Sequence, residues 1–220
     1  MATVQSITQR IQDALRDSSG DTWPAETIHG AIYEAECMIV NIRPDETARD
    51  VEMPLQVGAK QSIAALTPAP NAFLTAKYNR VNDVDGRAVR RIAMSDQDAI
   101  SPNWRSAAPS STIREFMIDD REKLIFFVNP PAAIGAKLQL SYSAIPAEYG
   151  VVGGSTTTTV GDSYIPMIIE WALYRLFGHD VEGSVNISRS QGHLSAFQRM
   201  MGVKVEAERT MSAKNPEHKR

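Results

Sequence analysis

The sequence predicts an α+β protein in which the N- and C-terminal helix pairs form a four-helix bundle that carries an inserted antiparallel β-sandwich or barrel domain. Apolar residues recur at helical spacing before residue 42 and again after residue 163. Between residues 50 and 145, short β-branched and aromatic runs alternate with Pro, Gly, Asn and Asp. Neither terminal helix pair can bury its apolar stripe alone, so packing all four helices together is the economical solution.

Two helices are predicted at the N-terminal end. Thr3 can cap the first helix, and the second begins near Pro24 and stops before Pro44. The apolar positions of the two helices are Val4, Ile7, Ile11, Ala14 and Leu15, and then Ile28, Ala31, Ile32, Ala35 and Ile39.

Six strands are predicted in the central block. Leu138, Leu140 and Tyr142 alternate with polar residues, as expected for a strand with one buried face. The stretches 82–86 and 119–123 are rich in turn-forming residues and are predicted to close two hairpins. The predicted strands are 51–55, 72–81, 87–94, 114–118, 124–129 and 137–145.

The C-terminal part is predicted to form a loop and two further helices. Gly153 to Thr159 reads as a loose connection, and Asp162 or Ser163 caps a helix that ends at Gly178. A last helix over 186–212 precedes a charged tail. The predicted division is 1–49 for the N-terminal bundle helices, 50–150 for the β domain, 151–162 for the linker loop, 163–213 for the C-terminal bundle helices and 214–220 for the flexible tail.

Composition and charge exclude several classes of protein. Hydrophobic residues make up 43% and charged residues 22% of the 220 residues, which is typical of a globular chain. The net charge of −3 gives no basic surface of the kind that holds nucleic acid through its phosphates. No run reaches the roughly 20 apolar residues needed to span a bilayer, and no signal peptide is evident. The single cysteine, Cys37, cannot form an internal disulfide.

The sequence offers no catalytic, metal or cofactor site. The segment 58–62 lacks the spacing of a phosphate-binding loop, and the triplet 161–163 is interpreted as a helix cap rather than an esterase nucleophile. The grouped His179, Asp180 and Glu182 lack a second histidine in step, and the acidic residues of the 119–123 turn are interpreted as turn chemistry. The dispersed aromatic residues are expected in the core. The face of the last helix that carries Phe197, Met200, Met201 and Met211 is either core or an adaptable contact surface.

Several short motifs, in their order and spacing over 23–180, resemble those of tailed-bacteriophage head-to-tail adaptor proteins, the head-completion proteins that dock on the portal. None of these motifs is a catalytic signature. They are Leu55-Gln56-Val57-Gly58-Ala59-Lys60-Gln61, Asp85-Gly86-Arg87, Ser101-Pro102-Asn103-Trp104, Phe127-Val128-Asn129-Pro130-Pro131-Ala132, Tyr142-Ser143-Ala144-Ile145-Pro146 and the stretch 164–180.

The resemblance implies a non-enzymatic structural virion protein at the head–tail junction, assembled in the host cytoplasm. It implies a homo-oligomer, a dodecameric ring below the portal protein, in contact with a tail or nozzle protein and with no membrane partner. The genomic DNA would pass through the ring during ejection without specific binding, and no cofactor is implied. A tail-completion or tail-tube protein, and a hydrolase with an unrecognised site, remain as alternatives.

By analogy with adaptors in general, the segment after Val203 is expected to bind the portal. It is a locally basic end on an acidic chain, and its charge density leaves little apolar surface with which to fold back. The expected portal-binding residues are Lys204, Arg209, Met211, Lys214, Lys219 and Arg220.

The charge predicts weak affinity for DNA. Twelve subunits at −3 each would carry a net charge of about −36, which disfavours tight phosphate contacts along a passage in which DNA must slide. We therefore expect no sub-micromolar binding of duplex DNA by the isolated protein at physiological salt. Fluorescence anisotropy with a labelled duplex measures this, and a sub-micromolar dissociation constant would contradict it.

Overall fold

The computed structural model describes residues 2–81, 84–119, 121–150, 152–179 and 184–214, with no side-chain description for Ser184 or for 211–214. The chain divides into two compact units. The helical unit consists of Met1–Met38 and Pro146–Arg220, and the β unit consists of Ile39–Ile145. The predicted α+β class is confirmed.

The helices and strands follow one another in the order that the sequence predicts, with additions inside the β unit. In chain order, the helices are α1 (Val4–Leu15), α2 (Ala25–Ile42), α3 (Met94–Ile100), α4 (Ile165–His179) and α5 (Ser184–Lys214). The strands are β1 (Ala48–Pro54), β2 (Gly58–Ser62), β3 (Pro70–Val81), β4 (Val84–Ala88), β5 (Arg90–Arg91), β6 (Glu115–Ile118), β7 (Ile125–Ala132) and β8 (Lys137–Ala144).

The first two helices begin where their capping residues predict. The Thr3 hydroxyl accepts a hydrogen bond from the Ser6 amide at 3.2 Å, and α2 starts directly after Pro24. Between the helices, the Asp17 carboxylate accepts backbone hydrogen bonds at 2.8–3.1 Å and so fixes the connection. The predicted apolar positions that are fully buried are Val4, Ile7, Ile11, Ile28, Ile32, Ala35 and Ile39.

The last two helices pack on each other within the helical unit. Ser190 donates from its hydroxyl to the Tyr174 carbonyl at 2.9 Å, and His193 lies 2.7 Å from Glu170. A short 3-10 turn, Asp162–Tyr164, precedes α4, and α4 continues through Gly178 to His179 instead of ending at the glycine. Their buried apolar residues are Ile165, Met167, Ile168, Ala172, Leu173 and Leu176 in α4, and Phe197 and Met201 in α5.

The connection before α4 is more ordered than the loose loop that its composition predicts. The Val4 amide donates to the Thr156 carbonyl at 2.8 Å, and Thr3 and Thr157 form an isolated antiparallel bridge. Thr158 and Val160 are buried. The run of threonines in this segment is therefore packed in the helical unit, although its composition suggests a loose loop.

The described residues of the β unit form two four-stranded sheets. One sheet has the order β1-β8-β3-β4, and the other has the order β2-β7-β6-β5. The expected antiparallel pairings of β3 with β4 and of β6 with β7 are confirmed, but residues 84–86, which were predicted to belong to the first turn, are part of β4. Within their two turns, Asn82, Asp83 and Asp120 lie outside the described residues.

The prediction of one strand over 87–94 is wrong. β4 ends at Ala88, β5 is only two residues long and pairs in parallel with β6, and Met94 begins helix α3. Strand β2 was not predicted, because its Gly-Ala-Lys-Gln-Ser sequence has no apolar alternation. In its pairing with β7, Lys60 is opposite Phe127 and Gln61 is opposite Phe126. This pairing stabilises β2 as a strand although its own sequence has low strand propensity.

Side chains from both sheets share one core. Phe73 stacks on Phe126 with ring centroids 4.2 Å apart and meets Phe116 edge-on at 5.7 Å, so β3, β6 and β7 contribute to one aromatic cluster. Val128, Leu138 and Leu140 complete its centre. The two sheets are separate, so the described residues form no closed barrel.

Truncation of Leu173 tests the assignment of the helical core. Leu173 is buried on α4, so Leu173→Ala should lower the free energy of unfolding by about 2–5 kcal/mol through lost burial and a residual cavity. Ile187→Ala on the exposed face of α5 is the matched control and should cost about 0.5 kcal/mol or less. Urea denaturation measures both, and equal small losses would show that the α4 face is mis-assigned.

Candidate interaction surfaces

The exposed face of the β1-β8-β3 sheet is covered by ion pairs. Lys77 lies 2.6 Å from Asp50, and Glu52 is held by Arg80 at 2.9 Å and by Lys137 at 2.8 Å. Hydrogen bonds from Lys137 and then Arg80 lower the pKa of the Glu52 carboxyl. Every cation of this cluster is thus paired with a carboxylate, so the face offers no unbalanced positive charge to a phosphate backbone.

Two loops of the β unit form an exposed apolar tip, which we define as residues 55–58 and 132–136. The loops are neighbours because the Leu55 amide donates to the Ala136 carbonyl at 2.8 Å and Gly58 pairs with Ala132. Val57 is 65% exposed and Ile134 is 89% exposed. Gln56, Gly58, Ala133 and Gly135, the residues next to them, are all uncharged.

The apolar tip is held in shape by buried hydrogen bonds. The buried Gln61 amide accepts from the Gln56 amide at 2.8 Å and donates to the Gln56 and Gly58 carbonyls at 2.8 and 2.9 Å. In the second loop, the Ala136 amide donates to the Ala133 carbonyl at 3.2 Å, and Gly135 has a φ of +80°, which favours glycine. The two exposed aliphatic side chains therefore stand on fixed backbone.

A shallow, open groove of about 430 Å³ lies beside α4 and α5, and most of the surface exposed in it is apolar although Arg199 and Lys204 border it. Met167 is the buried wall from α4, and Met200, Val203 and Ala207 follow one another along α5. Val203 is 67% exposed. The stems of Arg199 and Lys204 complete the lining, and we call this feature the α4–α5 groove.

The contact face that Phe197, Met200, Met201 and Met211 were considered to form is divided in the structure. Phe197 and Met201 are core residues, Met200 lines the groove, and the side chain of Met211 lies outside the described residues. Phe197 meets Trp171 edge-on, with ring centroids 5.0 Å apart. The interpretation as core residues is therefore confirmed for Phe197 and Met201. Of the three residues whose side chains are described, only Met200 lines a surface.

Among the described carboxylates of the helical unit, Glu36 on α2 is the most buried, and the sequence analysis did not single it out. It accepts hydrogen bonds from the Tyr149 hydroxyl at 2.6 Å and from the Thr159 and Val160 amides at 2.6 and 3.2 Å. Burial raises the pKa of the Glu36 carboxyl, against the opposing effect of these hydrogen bonds. The sequence signal was a glutamate four residues after Ile32, within the apolar stripe of α2.

The expected portal-binding residues have different environments in the structure. Lys204 is turned toward its own unit: its ammonium donates to the Ser163 hydroxyl at 2.7 Å and lies 3.9 Å from the centre of the Tyr164 ring. Arg209 is exposed and 4.0 Å from Glu206. Helix α5 includes the backbone of Met211 and Lys214, whose side chains lie outside the described residues, as do Lys219 and Arg220 altogether.

The expectation that the whole segment after Val203 has too little apolar surface to fold back is wrong for Lys204. It lines the same groove as Met167 of α4, and its ammonium lies over the Tyr164 ring, so the lysine packs on its own protein. The next basic residue of the segment is Arg209, whose side chain is 78% exposed.

The motifs rejected as chemical sites have structural roles where they are described. Residues 58–62 form an extended strand, and Lys60 lies 3.7 Å from Glu122. Ser163 belongs to the 3-10 turn before α4 and accepts the hydrogen bond from Lys204. Asp180 and Glu182 lie outside the described residues, and the residues that are described contain no cluster of His, Cys, Asp and Glu able to hold a metal.

Among the described helices, none combines the length and apolar character needed to cross a bilayer. The polar residues buried in the two units hold backbone groups of their own chain, as Glu36, Gln61 and Asn79 do. Among the exposed apolar residues, Val57 and Ile134 belong to the apolar tip and Val203 lines the α4–α5 groove. Exposed apolar surface of this kind is typical of a protein that binds other proteins.

A comparison with protein-family models shows the family to which the chain belongs. The model described as SU10 adaptor protein matches residues 2–218. The chain therefore belongs to the SU10 adaptor protein family, a family of phage adaptors with a structural role in the virion. The resemblance to phage head-to-tail adaptors is confirmed. A search of curated proteins found no match.

Two substitutions of Glu36 should separate the role of its charge from the role of its hydrogen bonds. Glu36→Ala leaves the Tyr149 hydroxyl and two backbone amides unpaired in a buried place, so we expect a loss of about 3 kcal/mol or more in the free energy of unfolding. Glu36→Gln keeps the acceptor for both amides and removes a buried charge, so its loss at neutral pH should be small or absent.

The difference in unfolding free energy between the wild type and Glu36→Gln should depend on pH. Because the native pKa of Glu36 lies above its usual value of 4.5, the native state binds more protons than the unfolded state between the two values. The stability of the wild type relative to Glu36→Gln should therefore fall as pH rises from about 4.5 through the native pKa. Urea melts at several pH values measure this difference, and a constant or rising difference would refute the assignment.

Proposed function

We propose that this chain is a head-to-tail adaptor that forms a dodecameric ring below the capsid portal, joins the capsid to the tail and leaves a passage for the genome. The observation that carries the proposal is the family match, which extends over residues 2–218 and so covers both units. The ring would contact the portal protein on one side and a tail or nozzle protein on the other, at the head–tail junction of the virion.

The packing within each unit supports the architecture expected of such an adaptor. In the helical unit, α1, α2, α4 and α5 each bury an apolar face, as the helices of a four-helix bundle do. In the β unit, side chains of both sheets enter one core, as in a β-sandwich. We therefore propose a four-helix bundle with an inserted β-sandwich.

The assignment as a non-enzymatic protein is supported by how the buried polar groups are used. Asn79 donates to the Arg87 and Ile113 carbonyls at 2.8 Å and accepts from the Ile113 amide at 2.7 Å. Gln61 and Glu36 likewise hold loops in place. Because the polar atoms of these three side chains are already hydrogen-bonded within the chain, they hold loops in place and are not available to react with a substrate.

Imaging of the purified protein tests the ring directly. We expect negative-stain electron microscopy to show closed rings with a central opening, either for the protein alone or after mixing with purified portal rings. Class averages with one ring of adaptor subunits on each portal would support the proposal. Long stacks or tubes would instead favour a tail-tube component, and a monomer that ignores the portal would contradict the adaptor role.

The end of α5 is the part of the chain that we propose binds the portal. Since Lys204 is engaged with Tyr164 and Ser163, the portal-binding segment is narrowed to 209–220, which keeps Arg209, Met211, Lys214, Lys219 and Arg220. Four of its residues are basic and one is acidic, so an acidic rim on the portal would accelerate and orient the encounter.

Deletion of 209–220 tests this assignment. The truncated protein should keep a melting temperature within a few degrees of the full chain, since the described apolar core residues of α5, Phe197 and Met201, remain in place. We expect its attachment to purified portal rings to be lost in a sedimentation assay. Replacement of the same residues by a Gly-Ser segment of equal length controls for chain length and should also abolish attachment, whereas unchanged binding by either variant would place the contact elsewhere.

A further inference from the structure

A second pocket of the helical unit, with a volume of about 400 Å³, lies where the end of α1 meets α4 and α5. The residues that line it are apolar or carry basic groups, and none of the described lining residues is acidic. They include Leu15, Leu173 and Phe177, and Arg16, Arg189 and His193. We call this feature the arginine pocket.

The two arginines of this pocket are not neutralised by their own chain. Of the carboxylates that the structure describes, none lies within 4.0 Å of the Arg16 or Arg189 guanidinium. The nearest acidic residue in sequence, Asp17, already accepts three backbone hydrogen bonds at 2.8–3.1 Å. Two unpaired positive charges at one pocket favour an occupant with negative charge.

The backbone of Arg16 is left-handed, with a φ of +58°, and Arg16 is the only non-glycine among the described residues with a positive φ. Glycine usually ends a helix in this conformation, because a side chain destabilises it. The cap itself uses backbone groups: the Arg16 amide donates to the Asp13 carbonyl at 3.2 Å, and the Asp17 amide donates to the Gln12 carbonyl at 3.0 Å. Because the helix end does not need the guanidinium, a role for Arg16 at the pocket explains why an arginine stands here.

The groups on the α4 and α5 side of the pocket are held in place by their neighbours. The His193 ring lies parallel to the Phe177 ring, with centroids 5.6 Å apart, and the Arg189 guanidinium lies 5.8 Å from the centre of the Phe177 ring. The Nδ1 of His193 lies 2.7 Å from the Glu170 carboxylate, which fixes the orientation of the imidazole. A ligand would therefore meet side chains that are already ordered, so binding costs less side-chain entropy.

We propose that the arginine pocket binds an acidic segment of another protein, one that carries both carboxylate and aliphatic side chains. A guanidinium binds a carboxylate through two parallel hydrogen bonds, and the apolar lining residues can bury an aliphatic side chain beside it. This inference does not depend on the proposed ring.

Two other occupants fit the pocket less well. A nucleic-acid backbone has no aliphatic side chain to place against Leu173 and Phe177, and it is held by a longer series of cations than two arginines. The last six residues of this chain, Asn-Pro-Glu-His-Lys-Arg, contain one acidic and two basic residues, so they are not the acidic segment.

Fluorescence anisotropy of the full chain with three labelled probes tests the class of occupant. The first probe is a peptide with the repeat Glu-Glu-Leu, the second is a Gln-Gln-Leu peptide of equal length, and the third is a single-stranded oligonucleotide with the charge of the first. We expect saturable binding of the Glu-Glu-Leu peptide that weakens as salt is added, because the contact is between charges. The other two probes should bind about tenfold more weakly or not at all.

Three variants locate the binding at the pocket. Arg16→Gly and Arg189→Gln should each weaken binding of the Glu-Glu-Leu peptide by about tenfold or more. Arg10→Gln is the matched control, since it removes the same charge from an exposed position of α1 outside the pocket, and it should change the affinity by less than about twofold. Arg16→Gly should in addition raise the melting temperature by about 1–4 °C, because glycine adopts the left-handed conformation without strain.

Weaker binding together with higher stability in Arg16→Gly would support the inference, because a purely structural residue would not separate the two. No saturable binding of the Glu-Glu-Leu peptide, or an equal loss of affinity in Arg10→Gln, would overturn it. Tighter binding of the oligonucleotide, lost in Arg16→Gly and Arg189→Gln, would assign the pocket to phosphate and overturn the protein occupant. A lower melting temperature in Arg16→Gly would contradict the role given to that side chain, and unchanged peptide affinity in Arg189→Gln would then overturn the site.

Discussion

The antiparallel pairing of β1 with β8 is the constraint on which the rest of the structure depends. It places Ala48 opposite Ser143, so the chain leaves the β unit beside the point at which it entered. Thr47 secures this closure, since its hydroxyl donates to the Ala144 carbonyl at 2.8 Å, 97 residues later in the sequence. Closing a loop of this length costs about 4 kcal/mol of chain entropy beyond a constant, which the ladder and the shared core must offset.

This closure allows one helical unit to be built from both ends of the chain. Residues before Met38 and after Pro146 can meet because the segment between them begins and ends at neighbouring positions. Glu36 then fixes the returning segment to α2 through Tyr149, Thr159 and Val160. Desolvation of the buried carboxylate destabilises the fold, and its three hydrogen bonds stabilise it. Its main structural effect is therefore to specify a single position for the returning segment.

The sequence predicts the parts of the fold that local patterns determine. Thr3 and Pro24 mark the starts of α1 and α2, and the alternation of Leu138 and Leu140 marks β8. It does not predict β2 or the break after Ala88, because these depend on partners distant in sequence, such as Phe126 and Phe127 for β2. Lys204 was misjudged for the same reason, since the Tyr164 ring that holds it belongs to another element. The apolar tip was missed because Val57 and Ile134 become neighbours only through β-sheet pairing.

We propose that this chain connects the capsid to the tail at the head–tail junction. Cryo-electron microscopy of the intact virion tests it most directly, by locating density into which the helical unit and the β unit can each be fitted. Our account predicts one ring of this density between portal and tail, with the α5 end directed toward the portal. Density for the chain along the length of the tail, or its absence from the junction, would contradict the account.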